Sequence, residues 1–500
     1  MSEKAKKGFK MPSSYTVLMI IIAIMAVLTW IIPAGQYDAD KSGNLITGTY
    51  KTVAQNPQGI WDVLMAPIRA MLGKEPTSAA IDVAFFILMV GGFLGVVNET
   101  GALDVGIASI VKKYKGREKM LILVLMPLFA LGGSTYGMGE ETMAFYPLLV
   151  PVMMAVGFDS LTAVAIILLG SQIGCLASTL NPFATGIASA TAGVGTGDGI
   201  VLRLIFFVVM TALGTYFVYR YADKIQKDPT KSLVYSHREE DLKHFNVDAV
   251  ANVESTLSKK QKQVLVFFVL TFVLMIMSFI PWTDLNVHVF ENFNKWLIGI
   301  PVIGKIVGTS TSALGTWYFP EGAMLFAVMG IIIGFVYRMK EDRFITVFIN
   351  GAADLLGVAL IVAVARGIQV IMNDGMITAT ILHWGEVGLK GLSSQVFIVL
   401  TYIFYLPMSF LIPSTSGLAS ATMGIMAPLG KFVNVPASLI ITAYQSASGL
   451  LNLVTPTSGI VMGALALGRI DLGTWWKFVA KLVAGIFVVS ILLLILGTFL

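Results

Sequence analysis

The chain has 500 residues, of which 56% are hydrophobic and 13% charged, with a mean hydropathy of +0.81. Soluble domains carry about 25% charged residues, so this balance excludes a soluble enzyme. The net charge of +5 belongs to membrane-flanking clusters and predicts no nucleic-acid partner.

Residues 1–14 predict a cytoplasmic N-terminus, basic through Lys4, Lys6, Lys7 and Lys10. The apolar run Tyr15 to Ile32 that follows is long for a signal peptide and ends in Ile32-Pro33-Ala34-Gly35 without a cleavage pattern, so an uncleaved first span is expected. Further runs of spanning length are Ala79 to Val97, Val201 to Tyr219, Val264 to Ile280, Gly322 to Val336, Leu355 to Met372 and Trp475 to Phe499. Lys and Arg cluster at the N-terminus, at Lys112 to Lys119, at Arg220 to Lys262 and at Arg338 to Arg343, and the positive-inside rule places these clusters in the cytoplasm. Gly35 to Ser78, Gly193 to Gly199, Trp282 to Pro320 and Asn373 to Gln395 then lie outside. Gly322 to Val336 has no counterpart in the first half, so it adds a crossing and turns the second half over. The expectation is nine crossings and two re-entrant pairs, with the C-terminus outside.

Two stretches about 280 residues apart share a pattern: Leu131-Gly132-Gly133-Ser134-Thr135-Tyr136-Gly137 with Thr142-Met143, and Leu411-Ile412-Pro413-Ser414-Thr415-Ser416-Gly417 with Thr422-Met423. Ser178-Thr179-Leu180-Asn181-Pro182 answers Asn452-Leu453-Val454-Thr455-Pro456 in the same way, and Val97 to Gly101 answers Met372 to Gly375. Backbone that leaves the helix at membrane depth survives only where protein or water supplies hydrogen-bond partners. Four such breaks stand out: Gly132 to Glu141, Ser178 to Gly186, Pro413 to Ser420 and Asn452 to Gly459. They form two matched pairs, and paired interruptions point to a substrate site between repeats.

Met120 to Leu131 offers about 12 residues, roughly 18 Å of helix against a hydrocarbon core of ~30 Å. A re-entrant hairpin over about 119–157 follows from that length, with Ser134 to Glu141 at its tip. In the second copy the hairpin occupies about 395–433; Val396 to Ile412 is longer and carries Pro407, which leaves a full crossing open. Broken helices follow at about 160–192 and 437–468. The predicted plan is an all-α polytopic membrane protein: a first repeat over 15–221, a cytoplasmic linker over 222–262, most simply solvated, and a second, inverted repeat over 263–500.

The polar residues of the breaks are the candidate substrate site: Ser134, Thr135, Tyr136, Ser178, Thr179, Asn181, Ser414, Thr415, Ser416, Asn452, Thr455, Thr457 and Ser458. Helix N-termini at such breaks attract anions and C-terminal carbonyls attract cations, so one site can hold a carboxylate and Na⁺. Glu140 and Glu141 join the candidates, because a carboxylate at membrane depth costs several kcal/mol unless paired or hydrated. The aligned positions are Ser420 and Ala421. An acidic pair suits an amine or guanidinium and repels a dicarboxylate unless protonated or neutralised; the alternative is a helix N-terminal position after Gly139, where Glu is common. Arg366 is open to pairing with a carboxylate or with substrate, Asp82 and Asp354 read as interfacial, and Arg203 and Arg469 as snorkelling. Cys175, the single cysteine, excludes an intrachain disulfide and reads as a small buried residue.

Gly299-Ile300-Pro301-Val302-Ile303-Gly304-Lys305-Ile306 lacks the final Ser or Thr of a phosphate loop. His237, His244, His288 and His383 fall in loops, without metal-ligand spacing and without a Ser to activate, so no enzyme and no cofactor are expected. A channel would need a continuous polar stripe, whereas polarity here concentrates at four breaks.

Phe9-Lys10-Met11-Pro12-Ser13-Ser14-Tyr15-Thr16 running into Thr29-Trp30-Ile31-Ile32-Pro33-Ala34-Gly35-Gln36-Tyr37, with the two Ser-Thr tips, resembles the YfcC-like branch of the anaerobic C4-dicarboxylate carrier family, over nearly the whole chain. The resemblance implies the ion transporter superfamily: homodimers of inverted repeats, a dimerising scaffold, and a transport part that moves like an elevator. It implies that Ser134, Thr135, Ser414 and Thr415 at the tips and the breaks at 178–182 and 452–456 bind substrate and ion. Ser134, Asn181, Ser414 and Thr455 are the ion-site candidates for Na⁺, with H⁺ the other coupling ion in view. This chain departs from the family in lacking Asn in either tip triplet and in carrying Glu140-Glu141. Relatives in the branch are described as basic amino acid antiporters. The expectation is therefore a secondary active transporter of the bacterial inner membrane for a basic amino acid or small peptide, with C4-dicarboxylate exchange as the alternative.

Overall fold

The computed structural model describes residues 14–499 apart from 40–44, 74–78, 104, 107–115, 246, 248–256, 281, 284–286 and 390; the side chains of residues 14, 136 and 182 also lie outside the description. The basic N-terminus, Lys112 and residues 248–256 of the linker are therefore expectations outside the described residues.

Helix α1 (Ser14–Ile31) leads through a two-residue antiparallel pair, β1 (Gly35–Gln36) with β2 (Lys51–Thr52), to the short α2 (Ile60–Leu72) and to α3 (Ile81–Glu99). The first hairpin is α4 (Met120–Tyr136), a 3-10 segment over Glu140–Phe145, and α5 (Tyr146–Ala155). The first broken helix is α6 (Ser160–Leu176), a π turn over Pro182–Gly186 and α7 (Ile187–Ala192), followed by α8 (Ile200–Lys227). After α9 (Arg238–His244) come α10 (Lys259–Phe279), α11 (Val289–Gly299), α12 (Ile303–Val307), α13 (Phe319–Tyr337) and α14 (Glu341–Asp354). The second half repeats the plan: α15 (Leu356–Asp374), α16 (Thr378–Gly388), the hairpin α17 (Ser394–Leu411) and α18 (Thr415–Phe432), the broken helix α19 (Ala437–Leu451) and α20 (Gly459–Leu467), and α21 (Leu472–Gly497).

Among the described residues, seven helices are long and apolar enough to cross a membrane: α3, α8, α10, α13, α15, α17 and α21. Six of them overlap runs read from the sequence. The seventh is α17, the arm for which the sequence left a crossing open, while the run at Tyr15 forms a shorter apolar helix, as do α4 and α6.

The helices sort into two packed groups. In one, α13 and α14 pack along α3 while α1 and α2 pack along α15, so the central span of each half is wrapped by the helices that precede the other. Helix α10 packs on α13. In the other group α4 packs along α6, α17 along α19, and α6 against α19, so the two hairpins and two broken helices share one core. There α6 and α19 are buried along almost their whole length.

Local packing moves two boundaries away from the sequence expectation. Helix α4 does not stop at Leu131 but runs 17 residues to Tyr136, about 26 Å. Gly133 lies so close to the Ser171 carbonyl that no side chain fits, and Thr135 Oγ1 donates back to Leu131 O at 2.7 Å, so tertiary contact overrides the weak helix preference of this stretch. The second tip is tighter than expected, because Ser414 caps α18 and places Thr415 to Ser420 inside the helix. The linker is not simply solvated either: Ser232 Oγ and Tyr221 Oη donate to Asp159 at 2.6 and 2.7 Å, Arg469 pairs with Asp241, and Val234 and Val247 are buried. Arg203 is buried and donates to the carbonyls of Thr196 and Asp198 at 2.6 Å each.

Candidate substrate site

The two tips and the two breaks converge on one cavity of about 350 Å³. The first tip contributes Gly137, Gly139, Glu140 and Glu141; the first broken helix contributes Gln172, Cys175, Asn181 and Phe183. From the second half come Pro413, Ser414, Thr415 and Ser416 of the tip and Thr457, Ser458, Gly459 and Ile460 of the break. The remaining wall belongs to the other helix group: Asp82 and Val83 of α3, Tyr318 and Phe319 at the start of α13, and Val362, Ala365, Arg366 and Gln369 of α15. The cavity thus lies between the two packed groups.

The first tip is stapled from behind. Ser134 Oγ donates to Ala177 O at 2.8 Å, and the backbone N–H of Thr179 donates to Ser134 O at 2.9 Å. Thr179 Oγ1 lies 3.1 Å from both Ser134 oxygens. Gly137 then turns the chain with φ +81°, and a Cβ there would stand 2.5 Å from Asn181 Oδ1. Asn181 is itself fixed: Oδ1 accepts from the N–H groups of Phe183 and Ala184 at 2.9 and 3.2 Å, and Nδ2 donates to Ser178 Oγ at 3.0 Å. The turn delivers Glu140 and Glu141 into a 3-10 segment, where buried Glu141 accepts from Gly139 N–H at 2.8 Å. The cavity position and the helix-terminal position, alternatives in the sequence, coincide here.

The second tip is built differently. Ser414 Oγ accepts from Gly417 N–H at 3.2 Å and opens the 18-residue α18 directly at the cavity. Helix α20 also begins at the cavity, after the buried pair Thr455 Oγ1 and Thr457 Oγ1, 2.7 Å apart. Two helix N-termini, each with roughly half a positive charge, therefore face the same space. The charged side chains of the lining are Asp82, Glu140, Glu141 and Arg366; the charges of Glu140 and Asp82 act on Arg366, whose Nη1 also donates to Ala79 O at 2.6 Å.

Eight of the fifteen candidate substrate-site residues line the cavity: Glu140, Glu141, Asn181, Ser414, Thr415, Ser416, Thr457 and Ser458. Ser134, Thr135, Ser178, Thr179, Asn452 and Thr455 stand behind its wall, and the Tyr136 side chain lies outside the described residues. Behind the second break, the buried Asn452 Oδ1 and Ser448 Oγ have no hydrogen-bond partner among the described residues. Sequence reasoning missed Gln172, Gln369 and Tyr318, and placed Asp82 at an interface and Cys175 in a core where both line the cavity. A signal for Gln172 existed, since a glutamine precedes each break: Gln172 before Pro182 and Gln445 before Pro456. Among the described residues no group of His, Cys, Asp and Glu is arranged to hold a metal ion.

Residues 11–499 match the family model described as the C4-dicarboxylate anaerobic carrier, DcuC. A Haemophilus influenzae protein described as uncharacterized is 31% identical over 99% of this chain and 98% of its own length. The Escherichia coli K12 protein named "Putative basic amino acid antiporter YfcC" is 27% identical over 97% of this chain and 96% of its own. Among solved structures, Neisseria gonorrhoeae MtrF, presented as one of a class of antimetabolite efflux pumps, aligns over 98% of this chain and 95% of its own at 17% identity and a TM-score of 0.45.

Proposed function

Since this chain belongs to the C4-dicarboxylate anaerobic carrier family, we propose that its cavity carries a small carboxylate-bearing solute, with C4-dicarboxylates as the first reading. The family consists of carriers, not enzymes, and the protein is a multi-pass secondary transporter of the bacterial inner membrane. The observation that carries the proposal is the meeting of Arg366 with the N-termini of α18 and α20 in one cavity. A guanidinium and two helix dipoles together recognise carboxylate oxygens. The family match supports this reading ahead of the basic amino acid expected from the sequence.

A basic amino acid remains the second reading because one specific feature favours it: Asp82, Glu140 and Glu141 outnumber Arg366 in the lining. A dicarboxylate shares that space only when the acids are compensated, which makes a coupling cation or proton part of the first reading. The unpartnered Asn452 Oδ1 and Ser448 Oγ support a Na⁺ position behind the second break. The reciprocal wrapping of α3 and α15 supports inverted repeats, and the cavity's place between two helix groups supports a hairpin body that moves against a scaffold. A homodimer with the N-terminus inside and the C-terminus outside completes the proposal.

Uptake into proteoliposomes tests it. Accumulation of succinate, fumarate or aspartate, abolished in Arg366→Gln, is the expected result. Transport of arginine or lysine alone, lost in Glu140→Gln and Glu141→Gln, would replace the first reading with the second; if those two variants leave lysine and arginine transport untouched, the cationic reading fails.

A further inference from the structure

We infer that Gln172 contacts the transported solute and selects for a hydrogen-bond acceptor on it, whereas Gln445, the glutamine before the other break, is purely structural. The inference rests on the reading of the cavity as the substrate site.

The two residues occupy comparable places, Gln172 ten positions before Pro182 and Gln445 eleven before Pro456, each on a buried helix that feeds a break. Their surroundings differ. Gln445 spends both ends of its amide on protein: Nε2 donates to Ser178 O at 2.7 Å and Oε1 accepts from Thr185 Oγ1 at 2.9 Å. It ties α19 to the first break and has left the cavity lining. Gln172 is just as buried, at 1% exposure, yet it forms part of the cavity wall and its Nε2 has no hydrogen-bond partner.

An unsatisfied buried donor costs about 1–3 kcal/mol. A solute oxygen arriving in the cavity relieves that cost on binding, and a solute lacking an acceptor there leaves it unrelieved; this asymmetry is how polar pockets reject close analogues. Gln172 sits on α6 and Arg366 on α15, in different helix groups, so the solute they share bridges the two walls of the cavity. A four-carbon dicarboxylate presents acceptors at both ends, which suits one carboxylate at Arg366 and the other near Gln172.

Succinate transport by reconstituted Gln172→Leu and Gln172→Glu, with Gln445→Leu alongside, tests the assignment. Loss of one neutral hydrogen bond predicts a KM raised about 10-fold in Gln172→Leu, with a larger rise in Gln172→Glu, where a carboxylate replaces the donor. Thermal stability of Gln172→Leu without solute stays at or above wild type, because an unpaired group has been removed; Gln445→Leu loses stability. A KM for succinate within twofold of wild type in Gln172→Leu, or a fall in KM in Gln172→Glu, overturns the inference. If wild type carries arginine and no succinate, the dicarboxylate reading fails separately, and the same variants are then read with arginine, whose α-carboxylate is the acceptor: a raised KM in Gln172→Leu supports the inference and an unchanged KM overturns it.

Discussion

The two hairpin tips look alike in sequence and are built on different principles. At the first, Ser134 faces away from the cavity and bonds Ala177 and Thr179, so the hydroxyl fastens the tip to the broken helix behind it. At the second, the aligned Ser414 caps α18 at the cavity edge, so the same hydroxyl organises a helix N-terminus toward the cavity. The first tip then brings acid into the site through Glu140 and Glu141, the second brings helix dipole. The two tips thus differ in what they bring to the cavity: the first a fastened turn with two acids, the second a helix N-terminus.

This difference predicts unequal responses to equivalent substitutions. The largest effect belongs to Gly137→Ala, which forces a side chain into φ +81° and against a fixed Asn181. A left-handed non-glycine residue costs about 1–3 kcal/mol before the clash is counted, so the variant melts well below wild type in detergent, or fails to accumulate. At Gly417→Ala on the other tip the nearest atoms are Ser414 Oγ at 3.2 Å, Gln369 Nε2 at 3.3 Å and Ser414 Cβ at 3.4 Å, all side-chain atoms, so it keeps most of its stability, a contrast that thermal melting reads directly. Equal losses at the two glycines would contradict this difference.

Next in size is Ser134→Ala. It removes a buried hydroxyl that bonds Ala177 and Thr179 and costs about 1–3 kcal/mol of stability, while KM in the surviving folded protein stays near wild type. Ser414→Ala follows with about 1 kcal/mol, the usual loss of a helix cap, yet it raises KM because it loosens the N-terminus facing the solute. Measuring melting and KM on both variants crosses the two effects; a KM change confined to Ser134→Ala would reverse the assignment. The smallest effect is expected for Thr135→Val, whose hydroxyl bonds only Leu131 O within its own helix. Stability within about 0.5 kcal/mol and unchanged transport are the expected readings.

The sequence carried the breaks well because Gly, Pro and hydroxyl residues at membrane depth have few uses, and repetition in two halves makes coincidence improbable. The start of the first broken segment near Ser178 and the end of the second before Gly459 are where local chemistry places them. It carried the tips less well. Whether Gly132 to Tyr136 stays helical depends on the contact of Gly133 with Ser171, and that partner is remote in the chain. The direction of a hydroxyl is set by packing as well, so aligned serines that look equivalent in sequence make different bonds. The wall supplied by α3, α13 and α15 was the least legible, since Gln369 and Tyr318 join the cavity only through the way the two helix groups meet. Arg366 announced itself by its charge in an apolar run, but its place in one cavity with Glu140 came from the fold.

The central claim is that both tips face one solute. In a Cys175→Ser background, single cysteines introduced by Glu140→Cys and Ser416→Cys are modified by a membrane-impermeant thiol reagent with and without succinate. The account predicts that succinate slows modification at both positions over the same concentration range; protection at one position with the other indifferent, or cysteines reached only by lipid-soluble reagent, would contradict it.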